Sequence, residues 1–334
     1  MEIIVNTENL YNRISKLLKI SREKTIRAIN TTMVTTYFEI GRLIVEEEQN
    51  GKDRATYGKE ILKNLSIKLT KEFGKGFSTT NLEQMRKFYK VYGISQTLSE
   101  EFKLSWSHYL ILMRMENSNA RQFYEIEAIN NNWSMRELKR QVNSALYERL
   151  LLSKDKKKII ELSQKGQIIE KPSDIVKDPY ILEFLGLEER PNYSESELET
   201  EIINKLEMFL LELGKGFTFV GRQVRFTFEE RHFRVDLVFY NRLLRCFVLI
   251  DLKIGEVTHQ DLGQMQMYVN YYDREVKLPE ENKTIGIIIC REKNDTLVKM
   301  TLPQDNDQIF ASKYEMILPS KDEIKRLIMG ENNN

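Results

Sequence analysis

Apolar residues recur three and four positions apart through most of the first 152 residues, a spacing that places them on one face of an α-helix. Breakers such as Gly51, Gly74–Gly76 and Gly93 separate the periodic runs. The capping-box spacing of Ser134 and Glu137 marks a further helix start. The pattern predicts an all-α N-terminal domain with helices over Asn9–Ile20, Glu23–Glu48, Tyr57–Phe73, Thr79–Tyr92, Trp106–Met115, Ala120–Asn131 and Ser134–Leu152.

Residues 57–92 have the layout of a helix-turn-helix segment, with one amphipathic helix, a short Gly-Lys-Gly-Phe turn and a second helix. On the second helix, Leu82, Met85 and either Phe88 or Tyr89 are expected to face inward. Basic and amide side chains on its outward face suit contacts with phosphates and base edges in a major groove. The candidate DNA-binding residues are Asn81, Arg86, Lys87 and Lys90. An ordinary helical hairpin with solvated lysines is the alternative.

The distribution of charge adds one detail to this segment. The whole chain has a formal net charge of +1, but residues 1–150 hold 24 Lys and Arg against 18 Asp and Glu, and much of the surplus falls between Tyr57 and Lys90. Such a cluster suits phosphate binding, although a solvated helix face has the same composition. Charge alone does not separate the two interpretations.

The helical pattern stops after Leu152. A charge run at Lys154–Lys158 is followed by Pro172, Pro179 and a short apolar patch at Tyr180–Leu187. These features are typical of a linker with a docking segment. We therefore predict a helical domain over residues 1–152, a linker and docking segment over 153–195, and a second domain over 196–334.

Beyond residue 195 the pattern changes to short runs rich in β-branched and aromatic residues. An amphipathic helix over Glu197–Leu213 precedes these runs, and a second helix over His259–Arg274 interrupts them. The predicted strands are Phe217–Gln223, Val224–Phe228, Phe233–Tyr240, Arg245–Lys253 and Lys283–Arg291. This order of elements predicts an α/β or α+β domain with a central mixed sheet, which makes the whole chain an α+β protein.

Charged residues interrupt two consecutive apolar strands of this domain. Asp236 lies in the strand before the Asn241–Leu244 loop, and Asp251 and Lys253 lie in the strand after it. A hairpin brings Asp236 close to Asp251 across the ladder, and residues two apart on one strand project to the same face. We therefore expect two carboxylates and one ammonium group to converge.

Acidic groups inside an apolar strand are costly unless each is paired or binds a cation. Mg²⁺ takes hard oxygen ligands and lets phosphate oxygens complete its coordination, so a metal-dependent phosphodiester hydrolase is one interpretation. In it, Lys253 orients the attacking water or neutralises the charge that develops on the phosphate. A buried ion pair, either Asp251 with Lys253 or Asp236 with Arg234, is the alternative.

The residues of this hairpin resemble the PD-(D/E)XK nuclease superfamily, and specifically the bacterial YhcG-like family. The resemblance starts from Asp236 and the Asp251-Leu252-Lys253 motif and covers nearly the whole chain. Further matching segments are Ile40–Arg42, Tyr57–Gly58, Leu104–Tyr109, Trp133–Gln141, Lys177–Leu185, Phe209–Phe217 and Gly263–Tyr272. Val235 stands where the superfamily name has proline, and Asp251 stands where glutamate is commoner. Neither variant excludes activity.

The resemblance implies a restriction-endonuclease-like α/β fold for the second domain, with Mg²⁺ or Mn²⁺ as cofactor. It implies that Asp236 and Asp251 hold the metal, that the Leu252 carbonyl adds a ligand and that Lys253 assists the water. These roles are what the resemblance implies, and they remain expectations at this point.

The resemblance also implies a first-helix acid and substrate contacts. Glu199 is the choice for the acid because it shares a helical face with Ile203, and Glu201 is the runner-up. Gln264 and Tyr268 match a Gln-x-x-x-Tyr pattern of relatives that contact substrate near the metals. Packing of that helix against the sheet is the alternative for these two residues.

Other chemistries fit the sequence less well. The histidines His108, His232 and His259 lie far apart, no cysteine pair has zinc spacing, and no glycine-rich segment matches a P-loop. His108 is expected to be a hydrogen-bonded structural residue. Cys246 and Cys290 lie in strand-like apolar runs, which favours buried reduced thiols, and no apolar run reaches the ~20 residues of a membrane span. We expect a cytoplasmic protein without a membrane segment.

The leading hypothesis is a Mg²⁺-dependent DNA endonuclease of DNA repair, recombination or restriction. Its rival is a non-cleaving DNA-binding regulator that works through the helix-turn-helix-like segment. A third alternative, a scaffold subunit of a defence complex, rests on the family association alone. A homodimer and other restriction or repair proteins stay open as partners.

Overall fold

The computed structural model describes residues 7–50, 54–93, 102–152, 158–188, 193–228, 230–318 and 320. The chain divides into two compact units, Met1–Leu138 and Lys139–Asn334. The described residues of the first unit form helices and no strand, whereas the second unit combines helices with a sheet. This arrangement confirms the predicted α+β class.

The first unit begins with an unusually long helix. Its elements are α1 (Thr7–Asn50), α2 (Arg54–Phe73), α3 (Thr79–Tyr92), α4 (Trp106–Leu112), α5 (Ser118–Asn130) and the first residues of α6 (Met135–Asn143). The prediction of two helices within α1 was wrong. The helix continues through Ser21 because neither Gly nor Pro stands before Gly41, and Thr25 donates a hydrogen bond of 3.0 Å to the Ser21 carbonyl.

Helices α1 and α3 pack closely in this unit. A Cβ atom on Gly41 of α1 would lie 2.1 Å from the Met85 carbonyl oxygen of α3, so the approach of the two backbones requires glycine. Leu82, Met85 and Phe88 of α3 are fully buried, as their spacing predicts. The Phe88 ring lies 5.0 Å from that of Phe102, within an aromatic core.

The second unit is built on a six-stranded mixed sheet. Its further helices are α7 (Leu146–Leu152), α8 (Lys158–Lys165), α9 (Glu195–Asn204), α10 (Leu206–Leu213), α11 (His259–Tyr271) and α12 (Asp295–Thr301). Its strands are β1 (Tyr180–Ile181), β2 (Phe217–Phe228), β3 (Arg231–Asn241), β4 (Cys246–Glu256), β5 (Ile285–Glu292) and β6 (Ile309–Glu315). The strand order is β1-β6-β5-β4-β3-β2. Strands β2 to β4 pair antiparallel and β4, β5, β6 and β1 pair in parallel, which confirms the predicted mixed sheet.

Each face of the sheet is covered by helices. Ile250 and Leu252 of β4 belong to the core that includes α9 and α10, whereas Leu249 belongs to the core that includes α11. Side chains alternate between the two faces of a strand, so Asp251 and Lys253 lie on the α11 side. The sequence pattern does not predict β1, β6 or α12, since β1 has two residues and β6 carries Ser, Lys and Glu among its apolar positions.

The remaining structural expectations concern single residues. Cys246 and Cys290 are free and buried, as predicted. His108 Nε2 lies 2.9 Å from the Trp133 carbonyl and Nδ1 lies 2.7 Å from the Ser105 hydroxyl. Because a carbonyl only accepts, Nε2 donates and Nδ1 accepts, which confirms a structural histidine.

Among the helices that the structure describes, none is long and apolar enough to cross a membrane.

Glu212 on α10 is the centre of a buried ion network. Its carboxylate is fully buried and accepts hydrogen bonds from Arg140 (3.1 Å), Arg149 (2.7 Å) and the backbone N–H of Ile181 (3.0 Å). Lys177 donates to its backbone carbonyl. Burial alone raises the pKa of Glu212, but the three nearby cations outweigh burial and hold its pKa at about 2.

This network explains a break that the sequence pattern does not predict. Arg140 and Arg149 are nine positions apart, which places them on roughly opposite sides of a continuous helix. The chain instead turns at Ala145, whose φ is 51°, and the predicted helix Ser134–Leu152 is divided into α6 and α7. Both arginines thereby reach Glu212, and the second compact unit begins with α6 residues.

We expect Glu212→Gln to lower the free energy of unfolding by about 3 to 5 kcal/mol, because two buried guanidinium groups lose their carboxylate. Urea denaturation of the full chain, followed by fluorescence, measures this change. Glu207→Gln at an exposed position of α10 is the matched control, with an expected change within about 0.5 kcal/mol. Equal effects of the two substitutions would contradict the assigned role of Glu212.

Candidate functional site

The candidate site lies where the ladder between β3 and β4 ends. Leu237 and Ile250 are the last paired residues of the two strands at this end. Beyond them, the Asp236 side chain replaces the β3 backbone as the hydrogen-bond partner of β4. Its Oδ2 accepts a hydrogen bond of 2.9 Å from the backbone N–H of Leu252. Asp236 therefore lies beside the Asp251–Lys253 segment.

The Lys253 ammonium group lies among three carboxylates. Its Nζ is 2.9 Å from Asp251 Oδ2, 3.6 Å from Glu195 Oε2 and 3.8 Å from Asp261 Oδ1. Burial on its own lowers the pKa of Lys253, but Asp251 and the other two carboxylates raise it above its ordinary value. Lys253 is therefore a fixed cation and hydrogen-bond donor, and it cannot act as a base near neutral pH.

The ion pair with Lys253 does not fully offset the cost of burying the Asp251 carboxylate. The exposed fraction of Asp251 is 4%, and burial, followed by repulsion from Asp236, raises the pKa of Asp251 to about 7. Lys253 lowers this pKa without cancelling the two larger effects. The ion pair between Asp251 and Lys253 exists, and the described residues show none between Asp236 and Arg234. A raised carboxyl pKa of this kind is frequent at functional sites.

Gln223 of β2 joins a third carboxylate to the site. Its Nε2 donates to Asp236 Oδ1 at 3.0 Å and also to Glu199 Oε2. Glu199 is 4% exposed, and burial, with a contribution from Asp236, raises its pKa despite the hydrogen bond from Gln223. Glu199 Oε1 accepts no hydrogen bond from a described group, although Arg222 Nε lies 3.2 Å away in poor alignment.

The two candidates for the first-helix acid occupy different places. Glu199 reaches the site through Gln223, whereas Glu201 pairs with Lys205 on α9 at 3.6 Å. The geometry favours Glu199 over Glu201, and its role in metal binding stays a prediction.

Sequence reasoning misses Gln223, Glu195 and Asp261. Gln223 has a φ of 47°, a left-handed conformation that is uncommon for a residue other than glycine. Its signal in the sequence is an amide inside a strand-like run. Asp261 forms a capping box with Thr258, which the spacing of the two residues shows, but its proximity to Lys253 requires the folded chain.

Gln264 and Tyr268 of α11 lie beside the same carboxylates. Gln264 Nε2 donates to the Tyr268 hydroxyl oxygen. Burial raises the pKa of Tyr268, and the charges of Asp251 and Asp236 add to this effect. An open groove of about 640 Å³ is lined by His232, Phe233, Arg234, Gln264, Met267 and Tyr268. Tyr268 is buried, so packing is part of its role, and substrate contact stays a prediction.

The candidate DNA-binding residues of α3 lie in the first unit, whereas the carboxylates and Lys253 lie in the second. Arg86 Nη1 is 2.6 Å from Glu48 Oε1, and Lys90 Nζ is 3.7 Å from Glu48 Oε2, so one carboxylate of α1 pairs with both. Lys87 is exposed. The Asn81 amide donates to a backbone carbonyl of the preceding turn at 2.6 Å and accepts from the α4 indole at 3.0 Å. Their role in DNA binding stays a prediction.

The oxygens of the site fit a hard divalent cation. Asp236, Asp251 and Glu199 supply carboxylate oxygens, and Glu199 Oε1 is buried and accepts no hydrogen bond from a described group. Across the described ranges, no group of three or more His, Cys, Asp or Glu is already arranged to hold a metal ion. Lys253 and Gln223 contact the oxygens that a cation would use, so binding would require these contacts to rearrange.

Comparison with known proteins assigns both parts of the chain. The family model of the YhcG PDDEXK nuclease domain matches residues 173–328, and that of the DUF1016 N-terminal domain matches residues 13–149. A relative from Escherichia coli strain K12, named "Putative nuclease YhcG", is 39% identical over 344 aligned residues. The alignment covers 94% of this chain and 91% of the relative.

The mixed sheet and the matching family model place a PDDEXK nuclease domain in the second unit. The chain belongs to the YhcG family, as the identity and the coverage of the match show. The resemblance seen in the sequence is confirmed. The predicted division into residues 1–152, 153–195 and 196–334 stays a prediction, since the compact units divide after Leu138 and the family matches leave residues 150–172 unassigned.

Solved structures show partial similarity. A repair endonuclease from Pyrococcus abyssi has 17% sequence identity and a TM-score of 0.27, and the match covers 38% of this chain and 49% of that chain. The EndoMS-dsDNA2 complex has the same identity and TM-score, with 38% of this chain and 46% of that chain covered. These matches extend over less than half of each protein.

We expect Asp251→Asn to raise the free energy of unfolding of the metal-free chain at pH 8, and to raise it less at pH 5. The pKa of Asp251 in the folded chain, about 7, lies above its ordinary value of 3.8. The wild-type carboxyl therefore reduces stability progressively as pH rises from 3.8 to about 7. The difference is a few kcal/mol at most, because one pKa unit corresponds to about 1.4 kcal/mol.

Chemical denaturation in the presence of a chelator at both pH values measures this effect. Asp305→Asn, at an exposed position, is the control and should show no difference between the two pH values. A stabilisation by Asp251→Asn that is the same at pH 5 and pH 8 would show that the Asp251 carboxyl titrates normally.

Proposed function

We propose that this chain is a divalent-metal-dependent DNA nuclease whose active centre consists of Asp236, Asp251 and Lys253. The observation that carries the proposal is the convergence of two carboxylates and one ammonium group at the end of the β3–β4 ladder. Membership of a PDDEXK nuclease family supports the same conclusion. The surplus of basic residues in the first 150 positions supports DNA as the substrate.

Four groups would hold the cation. Asp236 and Asp251 supply one carboxylate each, Glu199 adds a buried carboxylate, and the Leu252 carbonyl adds a neutral oxygen. Mg²⁺ or Mn²⁺ at this position would polarise the scissile phosphate and lower the pKa of a bound water. Because the pKa of Asp251 is about 7, protons compete for its carboxylate below that pH.

Lys253 stays protonated and acts from a fixed position. Asp251 contacts its ammonium group at 2.9 Å, and Glu195 and Asp261 lie within 4.0 Å of the same group. A cation in this place can orient the attacking water by hydrogen bonding and can offset the negative charge that grows on the phosphate. Neither step needs Lys253 to lose its proton.

Gln223 is a positioning residue in this proposal. One side-chain nitrogen donates to both Asp236 and Glu199, so it sets the separation of two proposed metal ligands. Outer groups that orient metal ligands typically change metal affinity by about 10-fold to 100-fold when they are removed.

Gln264 and Tyr268 are proposed to contact the substrate from the groove side of α11. We place the activity in DNA repair, recombination or restriction.

The proposal predicts metal-dependent cleavage. Purified full chain is incubated with supercoiled, linear, branched and single-stranded DNA in Mg²⁺, Mn²⁺ or chelator. We expect cleavage with metal, and a rate lower by at least about 100-fold in Asp251→Asn and in Lys253→Met, because each removes a group that stabilises the transition state. Asp305→Asn should cleave like the wild type. Unchanged cleavage by Asp251→Asn would overturn the proposal, and DNA binding without any cleavage would favour a regulator.

The proposal also predicts a specific effect of Gln223→Ala. The metal concentration that gives half-maximal cleavage should rise by about 10-fold to 100-fold, and the rate should largely recover at saturating metal. Titration of Mg²⁺ against the initial rate measures both quantities. Gln266→Ala, at an exposed position of α11, is the control. A loss of rate that excess metal does not restore would mean that Gln223 does not act through the metal ligands.

A further inference from the structure

Part of the β2–β3 hairpin extends past the end of the β3–β4 ladder. Residues 224–228 pair with residues 231–235, whereas pairing of β3 with β4 stops at Leu237 and Ile250. We call residues 224–228 and 230–235 the hairpin arm. In the part of the chain that the structure describes, no third strand pairs with the hairpin arm.

One face of the hairpin arm is anchored on α11. The Phe226 ring stacks on Tyr271 at 4.1 Å, meets Tyr268 edge-on at 5.5 Å and lies 5.5 Å from Phe233. Phe226 is buried by these contacts. The hairpin arm is therefore held at a defined position beside the candidate active site.

The other face of the hairpin arm is basic. Arg225 and Arg234 are direct partners across the two strands, and both are exposed. Like charges placed directly opposite each other destabilise an antiparallel pair. Among the described residues, neither arginine has a carboxylate within 4.0 Å, so nothing described offsets this repulsion. His232 and Thr227 form the next pair on the same face.

The basic pair lies close to the proposed metal ligands. Arg234 and Asp236 are two residues apart on β3, a separation of about 7 Å along the strand. The groove beside α11 is lined by the consecutive residues His232, Phe233 and Arg234, as expected for an unpaired strand edge. The groove therefore connects Arg234 with Tyr268, whose hydroxyl is close enough to Asp251 and Asp236 for their charges to raise its pKa.

We propose that Arg225 and Arg234 bind the phosphate backbone of the DNA strand that enters the active site. This inference rests on the proposed nuclease function and adds to it a substrate-binding subsite. A phosphodiester between the two guanidinium groups would offset their repulsion and accept paired hydrogen bonds from each planar fork. The anchored backbone of the hairpin arm loses little freedom when such a ligand binds, so the entropic cost falls on the two arginine side chains alone.

The subsite is tested by measuring DNA-binding affinity, from the fluorescence anisotropy of a labelled DNA duplex. The full chain is used, and a chelator prevents cleavage. We expect Arg225→Gln/Arg234→Gln to bind on the order of tenfold more weakly at ~0.1 M salt, with the slope of log affinity against log salt reduced by about 2. Each single variant should reduce the slope by about 1. Arg242→Gln/Arg274→Gln removes the same charge from exposed positions outside the hairpin arm and should change neither quantity.

Equal affinity and slope in both double variants would overturn the subsite. So would a loss of binding that is confined to an RNA duplex of the same sequence. Loss of folding is a separate outcome that thermal unfolding detects. Removal of the repulsive pair should leave the melting temperature unchanged or higher, and a variant that unfolds earlier is replaced by the single variants.

The same variants separate this inference from the proposed function. If Arg225→Gln/Arg234→Gln weakens DNA binding but the wild-type chain never cleaves DNA, the subsite is supported and the proposed nuclease function is refuted. If cleavage depends on Asp251 but Arg225→Gln/Arg234→Gln cleaves and binds DNA like the wild type, the subsite is refuted and the proposed nuclease function is supported.

Discussion

The hydrogen bond from the Leu252 backbone N–H to Asp236 determines where the β3–β4 ladder ends, and the features of the candidate site depend on that end. A side chain replaces a backbone partner at this point, so β3 leaves β4 and continues with β2 alone. The Asp236 carboxylate is held by its backbone contact and by Gln223, which also reaches Glu199. The same separation of strands leaves the basic hairpin arm with no third strand beside it among the described residues.

Two buried carboxylates of the second unit differ in how completely nearby cations compensate their charge. Glu212 is fully paired, its pKa is held at about 2, and it joins the α6–α7 segment to α10 and β1. Asp251 has one close cation and a nearby Asp236, and its pKa is raised to about 7. A paired charge stabilises the fold, whereas an incompletely compensated one retains affinity for a further cation.

Charge along the second unit follows a simple order. The carboxylates Asp236 and Asp251 lie at the end of the ladder, Lys253 lies next to them, and Arg234 begins the basic face of the hairpin arm two residues from Asp236. This order would suit a phosphodiester strand, since a cation on the carboxylates would attract the reacting phosphate and the fixed cations would hold its neighbours. In the first unit, Arg86 and Lys90 instead share Glu48, so their charges are partly compensated within the unit.

Most features that follow from local periodicity could be predicted from the sequence: the mixed sheet, the convergence of Asp236, Asp251 and Lys253, and most helices and strands. The exceptions are α1, which was predicted as two helices, and β2, which was predicted as the two strands Phe217–Gln223 and Val224–Phe228. A short hairpin loop and a period of two constrain the three converging residues, whatever the rest of the chain does. The break between α6 and α7, the approach of Gln223 to Glu199 and the end of the β3–β4 ladder could not be predicted. Each depends on contacts between residues far apart in the chain, whose energies override local propensity and leave no periodic signal in the sequence.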